Sequence, residues 1–160
     1  MNTDFPPLII ETPIGSLSLS SDLERVQKLQ WMHSEQQALK QTNSCSALQK
    51  SVLKQVERYF QQAHADWLLP LRDCGTVFQQ KVWRYLQTIP IGETRTYTDV
   101  ANALGSSPRA VANACRANPF VIIVPCHRVI AKSGLGGYDG QTVGRNIVIK
   151  QWLLDHERNR

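Results

Sequence analysis

The chain has 160 residues, of which 42% are hydrophobic, enough for one ordinary folded domain or two small ones. This composition excludes wholesale disorder, and no window is apolar over the length of a membrane span, so we expect a cytoplasmic protein without a membrane partner. Residues 1–74 carry 7 Lys and Arg against 8 Asp and Glu, and residues 75–160 carry 11 against 5. A polyanion is therefore a candidate partner of the second half, although a solvated basic face has the same signature.

The first half has the pattern of a small α+β unit. Residues 7–20 predict a β-hairpin, because apolar residues alternate on either side of a Thr-Pro-Ile-Gly turn, and Val26–Trp31 can add a third strand. Residues 46–61 keep helical spacing of apolar side chains and predict an amphipathic helix on that sheet. The segment from Asp66 to Cys74 reads as a connection, so we place the domain boundary after residue 74.

The second half predicts a mostly helical domain, residues 75–160. Thr76 and Gln79 form a capping-box pattern at the start of a helix that should end before Pro90. Two shorter helices, residues 97–104 and 108–116, are separated by three residues that suit a tight turn and an N-cap. Residues 97–116 therefore have helix-turn-helix spacing, a weak signal alone that gains weight from the basic charge around it.

The two helices of this unit divide their side chains between packing and exposure. Apolar residues can fill the angle between the helices, and we expect Cys115 to be one of these core residues. Arg109 and Arg116 are left to face a partner.

The four cysteines are widely separated: Cys45, Cys74, Cys115 and Cys126. None belongs to a Cys-x-x-Cys pair or to a Cys/His cluster at zinc-ligand spacing, so the sequence predicts neither a disulfide framework nor a metal site. In a reducing compartment they are free thiols, and a free thiol is usually a small buried side chain. Only its surroundings can make one of them a nucleophile.

Cys126 has such surroundings. An apolar run over residues 119–124 predicts a buried strand that Pro125 ends, and Cys126, His127 and Arg128 follow at once. Neighbouring cationic side chains favour the thiolate form of a cysteine, although a structural cysteine at a strand end explains the local pattern equally well.

A thiolate nucleophile needs a base and a group that orients the base. Glu157, at the end of the last helix, is the candidate for the orienting group. A glycine-rich loop, residues 134–140, lies between Cys126 and Glu157 in the sequence. It carries Tyr138, whose ring could cover a flat ligand. A Cys-His-Glu hydrolase acting on a peptide or an ester is one function that these residues permit, but it leaves the basic helix-turn-helix unexplained.

Residues 75–157 resemble the O6-alkylguanine-DNA alkyltransferases, the methylated-DNA-protein-cysteine methyltransferases. The resemblance rests on the motif Pro125-Cys-His-Arg-Val-Ile130 together with other short motifs in the same order. These are Gly75-Thr-Val-Phe-Gln79, Ile89-Pro-Ile-Gly92, Thr96-Tyr97, Arg109-Ala-Val111, Asn118-Pro119, Gly137-Tyr138 and Trp152-Leu-Leu-Asp-His-Glu157.

The resemblance implies a suicide reaction in which the alkyl group of O6-alkylguanine passes once and irreversibly to Cys126. His127 would accept the thiol proton through a water molecule, and Glu157 would orient the imidazole. Asn118 would hold the turn that carries Cys126. The hydroxyl of Tyr97 would interact with the guanine ring, and the bulk of Tyr97 would press against the DNA backbone phosphate. No cofactor is implied.

The resemblance also implies how the substrate is held. The guanine pocket would be formed by Tyr97, the backbone carbonyls of Cys126 and Val129, Tyr138, and the backbone N–H of Asp139. The partner would be double-stranded DNA, bound through the minor groove without sequence preference by Arg109, Ala110, Arg116 and Tyr97. Arg109 would enter the base stack as the damaged nucleotide rotates out.

A relative that binds alkylated DNA without repairing it remains a further alternative. Such relatives lack the acceptor cysteine, which this chain has. We expect a monomer in solution that could bind DNA cooperatively, and an amino-terminal domain with a structural role.

Overall fold

The computed structural model describes residues 5–33, 45–64 and 66–159. The chain divides into two units, residues 1–73 and 74–160, which are described separately. Strands and helices are both present, and the predicted α+β class is confirmed. In the part of the chain that the structure describes, no helix is long and apolar enough to cross a membrane.

The first unit contains an antiparallel sheet in the order β1 (Leu8–Thr12), β2 (Gly15–Ser21) and β3 (Val26–Trp31). The predicted hairpin and third strand are confirmed. Alternation with period 2 puts the apolar side chains on one buried face, where Leu17 lies opposite both Ile10 and Trp31.

Helix α1 (Ala47–Gln62) covers this sheet and confirms the helix predicted over residues 46–61. Ser46 caps it: the Ser46 hydroxyl accepts from the Gln49 backbone N–H, and the Gln49 side chain accepts from the Ser46 N–H. Val52, Val56 and Tyr59 are fully or almost fully buried, so one helix face and one sheet face form the core of this unit.

The second unit begins with α2 (Val77–Leu86), capped by the predicted Thr76–Gln79 box. Strand β4 (Arg95–Thr96) leads into α3 (Tyr97–Leu104), and α4 (Pro108–Arg116) follows. Both helices have the predicted bounds. Ser107 is the N-cap of α4, because its hydroxyl accepts from the Ala110 N–H at 3.2 Å.

The prediction of a buried strand over residues 119–124 is wrong. These residues are buried, but they form successive turns closed by short-range bonds, such as Val124 N–H to Phe120 O at 2.9 Å, and Ile122 has a left-handed φ of 70°. An apolar run predicts burial but cannot distinguish a strand from a compact buried turn. The Asn118 side chain supplies the hydrogen bonds that a neighbouring strand would otherwise provide.

After these turns the chain forms a short 3-10 turn (Cys126–Arg128) and β5 (Val129–Ile130), which pairs in parallel with β4. The last helix, α5 (Arg145–Arg158), buries residues at helical spacing: Asn146, Ile149, Lys150, Leu153, Leu154 and Glu157. The pairing of β4 with β5 brings the start of α3 beside the segment that follows Cys126.

Candidate active site

Cys126 is the first residue of the 3-10 turn and is only 6% exposed. Its Sγ accepts a hydrogen bond from Asn118 Nδ2 at 3.2 Å. The same amide group donates to Val124 O at 2.8 Å, and Asn118 Oδ1 accepts from the Phe120 N–H at 2.9 Å. Asn118 therefore holds both the turn and the sulfur atom.

The pKa of Cys126 does not follow the electropositive setting predicted from its neighbours. Burial raises the pKa of the Cys126 thiol to about 11, although the Asn118 hydrogen bond and the charge of Lys150 lower it. The expectation that the surroundings of Cys126 favour its thiolate form is thus wrong for the protein without DNA. Arg128, which the sequence placed beside the thiol, turns its charge to a carboxylate instead.

His127 and Glu157 meet in the interior, each with a fully buried side chain. His127 Nε2 lies 2.7 Å from Glu157 Oε1. Burial lowers the pKa of His127 more than Glu157 raises it, so the imidazole is neutral. Because Glu157 is ionised and can only accept, Nε2 carries the proton; Nδ1 is buried and has no hydrogen-bond partner among the described residues.

Arg128 completes this buried cluster. Its guanidinium donates to both Glu157 oxygens at 2.9 Å and to Ile89 O at 2.7 Å. Burial alone would raise the pKa of Glu157, but His127 and Arg128 outweigh it and hold that pKa well below its ordinary value. Glu157 is therefore a permanent anion that orients the imidazole, and Arg128 is the partner that makes its burial possible.

Cys126 opens onto a cavity with a volume of about 250 Å³. Its walls are Tyr97, one face of α4, Cys126 and residues 137–142. Cys115 was expected in the core between α3 and α4, but it is half-buried and lines this cavity with Cys126. The correction follows from helix geometry, since Ala112, Cys115 and Arg116 share the face of α4 that lies next to the cavity.

The segment 137–142 forms one wall and is shaped by a tight turn. Tyr138 and Gln141 exchange both backbone hydrogen bonds, and the two residues between them, Asp139 and Gly140, have φ of 47° and 77°. This is the geometry of a type I′ turn, which favours Asp-Gly. Tyr138 is buried at 3% exposure, so its ring lines the cavity as the sequence suggested for a flat ligand.

Tyr97 lies at the first position of α3 and lines the cavity. Its Oη donates to Gly137 O at 3.4 Å, and burial, with the nearby charges of Cys115 and Cys126, raises its pKa. Val129 is fully buried but is not part of the cavity wall; its carbonyl accepts from Lys150 at 2.6 Å, and the Cys126 carbonyl accepts from the Val129 N–H. Each carbonyl keeps a second lone pair for a ligand.

The predicted DNA-contacting residues are on α4. Arg109 is exposed at the start of this helix and Ala110 is half-buried beside it. Arg116 is exposed at its end, where it lines the cavity and lies beside Gly140. The structure thus separates Arg109, away from the cavity wall, from Arg116 at the cavity itself.

Sequence reasoning missed Lys150 and the role of Arg128. Lys150 was available as a signal, because it occupies a core position in the helical pattern of α5 where an apolar residue is the rule. As for metals, no group of three or more potential ligands occurs within the described ranges.

Comparison with known proteins decides the family. The sequence profile of the 6-O-methylguanine DNA methyltransferase DNA-binding domain matches residues 77–159. A probable methylated-DNA–protein-cysteine methyltransferase of Acanthamoeba polyphaga mimivirus is 43% identical over 153 residues, covering 94% of this chain and 95% of the relative. The chain belongs to this family.

Further matches extend over both units. The constitutive methylated-DNA–protein-cysteine methyltransferase of Bacillus subtilis is 38% identical over 156 residues, with 92% of each chain covered. The crystal structure of Mycobacterium tuberculosis OGT in complex with DNA has a TM-score of 0.79 and 36% identity, covering 94% of this chain and 91% of that chain. The predicted family and its activity, DNA repair by alkyl transfer, are confirmed, and nothing among these matches supports the hydrolase alternative.

Proposed function

We propose that Cys126 is the residue that receives the alkyl group, and that it takes this group from O6-alkylguanine in double-stranded DNA. The observation that supports this assignment is the fixed position of its sulfur, which Asn118 holds at the wall of a cavity that is also lined by two tyrosines. Such a cavity suits a flat base that has rotated out of the duplex, because tyrosine rings stack on bases.

The proton of the thiol passes through a water molecule to His127 Nδ1, which is unpartnered within the described residues. Glu157 accepts the Nε2 hydrogen and stabilises the imidazolium that results. Because burial keeps the pKa of Cys126 high, the thiolate forms only when this relay operates at the moment of reaction. The free protein is thereby protected from unwanted alkylation.

The Cys126 thiolate then attacks the alkyl carbon in line with the bond to O6. The new S–C bond forms as the C–O6 bond breaks, and its electron pair leaves with guanine. Tyr97, which its raised pKa keeps protonated until then, gives its proton to the ring as negative charge develops, and the proton that His127 accepted restores the tyrosine hydroxyl, so neutral guanine leaves. The carbonyls of Cys126 and Val129, the Asp139 N–H and the ring of Tyr138 hold the base.

The product is a thioether, which has no good leaving group, so one protein repairs one lesion. Apart from the water molecule of the proton relay, every group that this displacement uses comes from the chain or the substrate, and no cofactor takes part in it.

DNA binding uses α4 in the minor groove. Arg109, exposed at the start of this helix, occupies the space that the extruded nucleotide leaves, since its planar guanidinium can stack and donate hydrogen bonds. Ala110 permits a close approach, and Arg116 and Tyr97 face the strand at the cavity. Contacts with the DNA phosphate backbone and with the shape of the groove do not depend on base sequence, so the protein can bind a lesion in any sequence.

We assign residues 75–160 to catalysis and DNA binding and residues 1–74 to a structural role. The excess of 11 basic over 5 acidic residues in the second part suits a phosphate backbone. We further propose that the protein is a monomer in solution, that it acts in the cytoplasm, and that it assembles cooperatively along DNA.

The test is intact-protein mass spectrometry after incubation with a duplex that contains one O6-methylguanine, followed by peptide mapping. We expect one added methyl group per protein, located on Cys126, absent from Cys126→Ala and present in Cys115→Ala. Binding without added mass would instead support the non-repairing alternative, and repeated turnover of an ester without alkylation would support a hydrolase.

A further inference from the structure

Lys150 is a buried cation that has no carboxylate partner among the residues that the structure describes. Its side chain is on α5 and is fully buried. Across the described residues, no carboxylate pairs with its ammonium group, whereas the buried Arg128 is neutralised by Glu157. Burying an unpaired charge costs free energy of folding, which an apolar side chain of similar length would avoid. An apolar side chain would stabilise the fold more, so a role outside stability explains a lysine at this position better.

The ammonium group joins two segments of the active site. Its Nζ donates to Val129 O at 2.6 Å, three residues after Cys126, and to Gly137 O at 2.9 Å, at the start of the cavity-lining segment 137–142. The Tyr97 hydroxyl donates to the same Gly137 carbonyl, and the Tyr97 ring centroid lies 5.8 Å from Nζ. One cation thus connects the turn of the nucleophile, the cavity wall and a tyrosine of the cavity.

The titratable groups that face Lys150 are Cys126, Cys115, Tyr97 and His127, and the charge of Lys150 lowers the pKa of His127. Burial lowers the pKa of Lys150 to about 8, and negative charge on Cys126 or Cys115 opposes this by raising it. In return, the charge of Lys150 lowers the pKa of Cys126, against burial and the carboxylate of Asp139. The two groups are therefore coupled, and each favours the charged form of the other.

We propose that Lys150 is a positioning residue for alkyl transfer: it holds segment 137–142 against the turn of Cys126 and supplies the positive charge that the reaction requires. This inference rests on the proposed role of Cys126 as acceptor. The reaction creates a negative charge in the cavity, first on the thiolate and then on the departing guanine, while the ammonium keeps its own proton. The described part of the resting protein supplies no counterion for Lys150, and the anion that forms during catalysis takes that place.

The experiment compares the full-length protein with Lys150→Met, Lys150→Gln and Lys150→Arg. Lys81→Met is the matched control, because Lys81 is an exposed lysine of the same unit whose ammonium also donates to a backbone carbonyl, Leu104 O at 3.5 Å. The first readout is the rate of Cys126 carbamidomethylation by iodoacetamide as a function of pH, without DNA, followed by peptide mapping. The second is the rate of transfer from an O6-methylguanine duplex and from free O6-benzylguanine.

Loss of the charge in Lys150→Met should move the pH midpoint of Cys126 carbamidomethylation upward by about one unit, a roughly tenfold loss of thiolate at a given pH, and slow both transfer reactions at least about tenfold. Lys150→Gln, which keeps a hydrogen-bond donor without charge, should show the same shift. Lys150→Arg should restore the midpoint, and Lys81→Met should equal the wild type in thiol titration and free-base transfer.

A folded Lys150→Met or Lys150→Gln protein with the wild-type midpoint and transfer rates would overturn the proposal; near-ultraviolet circular dichroism establishes folding. Failure of the acceptor assignment is distinguishable, because wild-type protein would then carry no methyl group on Cys126 after incubation with the duplex. The thiol titration without DNA reports on Lys150 in either case.

Discussion

Arg128 binds Glu157 through both carboxylate oxygens: Nε donates to Oε2 and Nη2 donates to Oε1, each at 2.9 Å. The oxygen Oε1 also accepts from His127 Nε2 at 2.7 Å. A single buried carboxylate therefore orients the imidazole while a bidentate guanidinium fixes the carboxylate. Gly92 adds a weaker contact, its N–H lying 3.5 Å from Oε2.

Replacement of Arg128 by methionine should destabilise the protein strongly. It leaves the buried Glu157 with His127 as its main partner, and breaking one side of a buried ion pair costs about 3–5 kcal/mol. Urea denaturation measures the loss. Arg25→Ala is the control, because the Arg25–Asp73 pair has side chains 47% and 89% exposed and should contribute less than about 1 kcal/mol. Equal losses of unfolding free energy in the two variants would show that the buried Arg128–Glu157 pair contributes no more to stability than the exposed Arg25–Asp73 pair.

Acid should unfold the protein partly through Glu157. Its folded pKa lies below the ordinary value of 4.5, so the stability that it contributes is complete above about pH 4.5 and is lost as the pH falls toward the folded pKa. His127 acts in the same direction, since its folded pKa is below the ordinary value of 6.5 and protonation favours the unfolded chain. Thermal melting between pH 7 and pH 3 should give a steeper decline for wild type than for Glu157→Gln. Parallel declines would contradict the assignment.

The sequence predicted those elements whose signals are local. Capping residues such as Thr76 and Ser107 satisfy backbone N–H groups within their own helix, so their pattern determines where α2 and α4 begin. Period-2 alternation likewise located the hairpin. Cys126, Asn118 and Glu157 were identified through short motifs. The structure joins Asn118 to the Cys126 sulfur, and it joins Glu157 to His127 and Arg128, the two residues that follow Cys126.

The features that the sequence did not predict depend on contacts between distant segments. Residues 119–124 form turns because Asn118 bonds across them, and no periodicity in the apolar run reveals this. Arg128 was expected to act on the neighbouring thiol, but Glu157 lies 29 positions further along the chain. The pKa of Cys126 likewise depends on burial, which its charged sequence neighbours do not indicate.

Asn118→Ala should impair both folding and transfer. The change removes the bonds to Val124 O, Phe120 N–H and Cys126 Sγ, and leaving such groups unsatisfied costs about 1–3 kcal/mol. Loss of the donor to Sγ also raises the pKa of Cys126, so methyl transfer should slow further than the fraction unfolded explains. Asn102→Ala, an exposed position on α3, is the control for both measurements. An unchanged transfer rate in folded Asn118→Ala would argue against a role at the sulfur.

Gly140→Ala should distort the cavity wall. Gly140 has a φ of 77°, which costs an L residue roughly 1–2 kcal/mol, and a Cβ there would lie 3.2 Å from Arg116 Nε. We expect a lower melting temperature and slower transfer from free O6-benzylguanine. In the same loop, Gly134 has no positive φ and nothing within 4 Å of an added Cβ, so Gly134→Ala should be neutral. If the two alanine variants behave alike, the turn at Gly140 is not required.

Arg109→Ala should separate base extrusion from chemistry. Rotating a nucleotide out of a duplex costs a few kcal/mol, and Arg109 is the exposed side chain at the start of α4 that we assign to the vacated space. Each 1.4 kcal/mol by which Arg109 offsets the cost of base extrusion corresponds to about a tenfold change in rate. Transfer from an O6-methylguanine duplex should therefore fall at least about tenfold when Arg109 is removed. Transfer from free O6-benzylguanine needs no extrusion and should keep the wild-type rate. Arg84→Ala, which removes the same charge from an exposed position on α2, should lower duplex repair only slightly. Equal losses on both substrates would show that Arg109 does not act through base extrusion. Equal effects of the two arginines would show that Arg109 contributes charge alone.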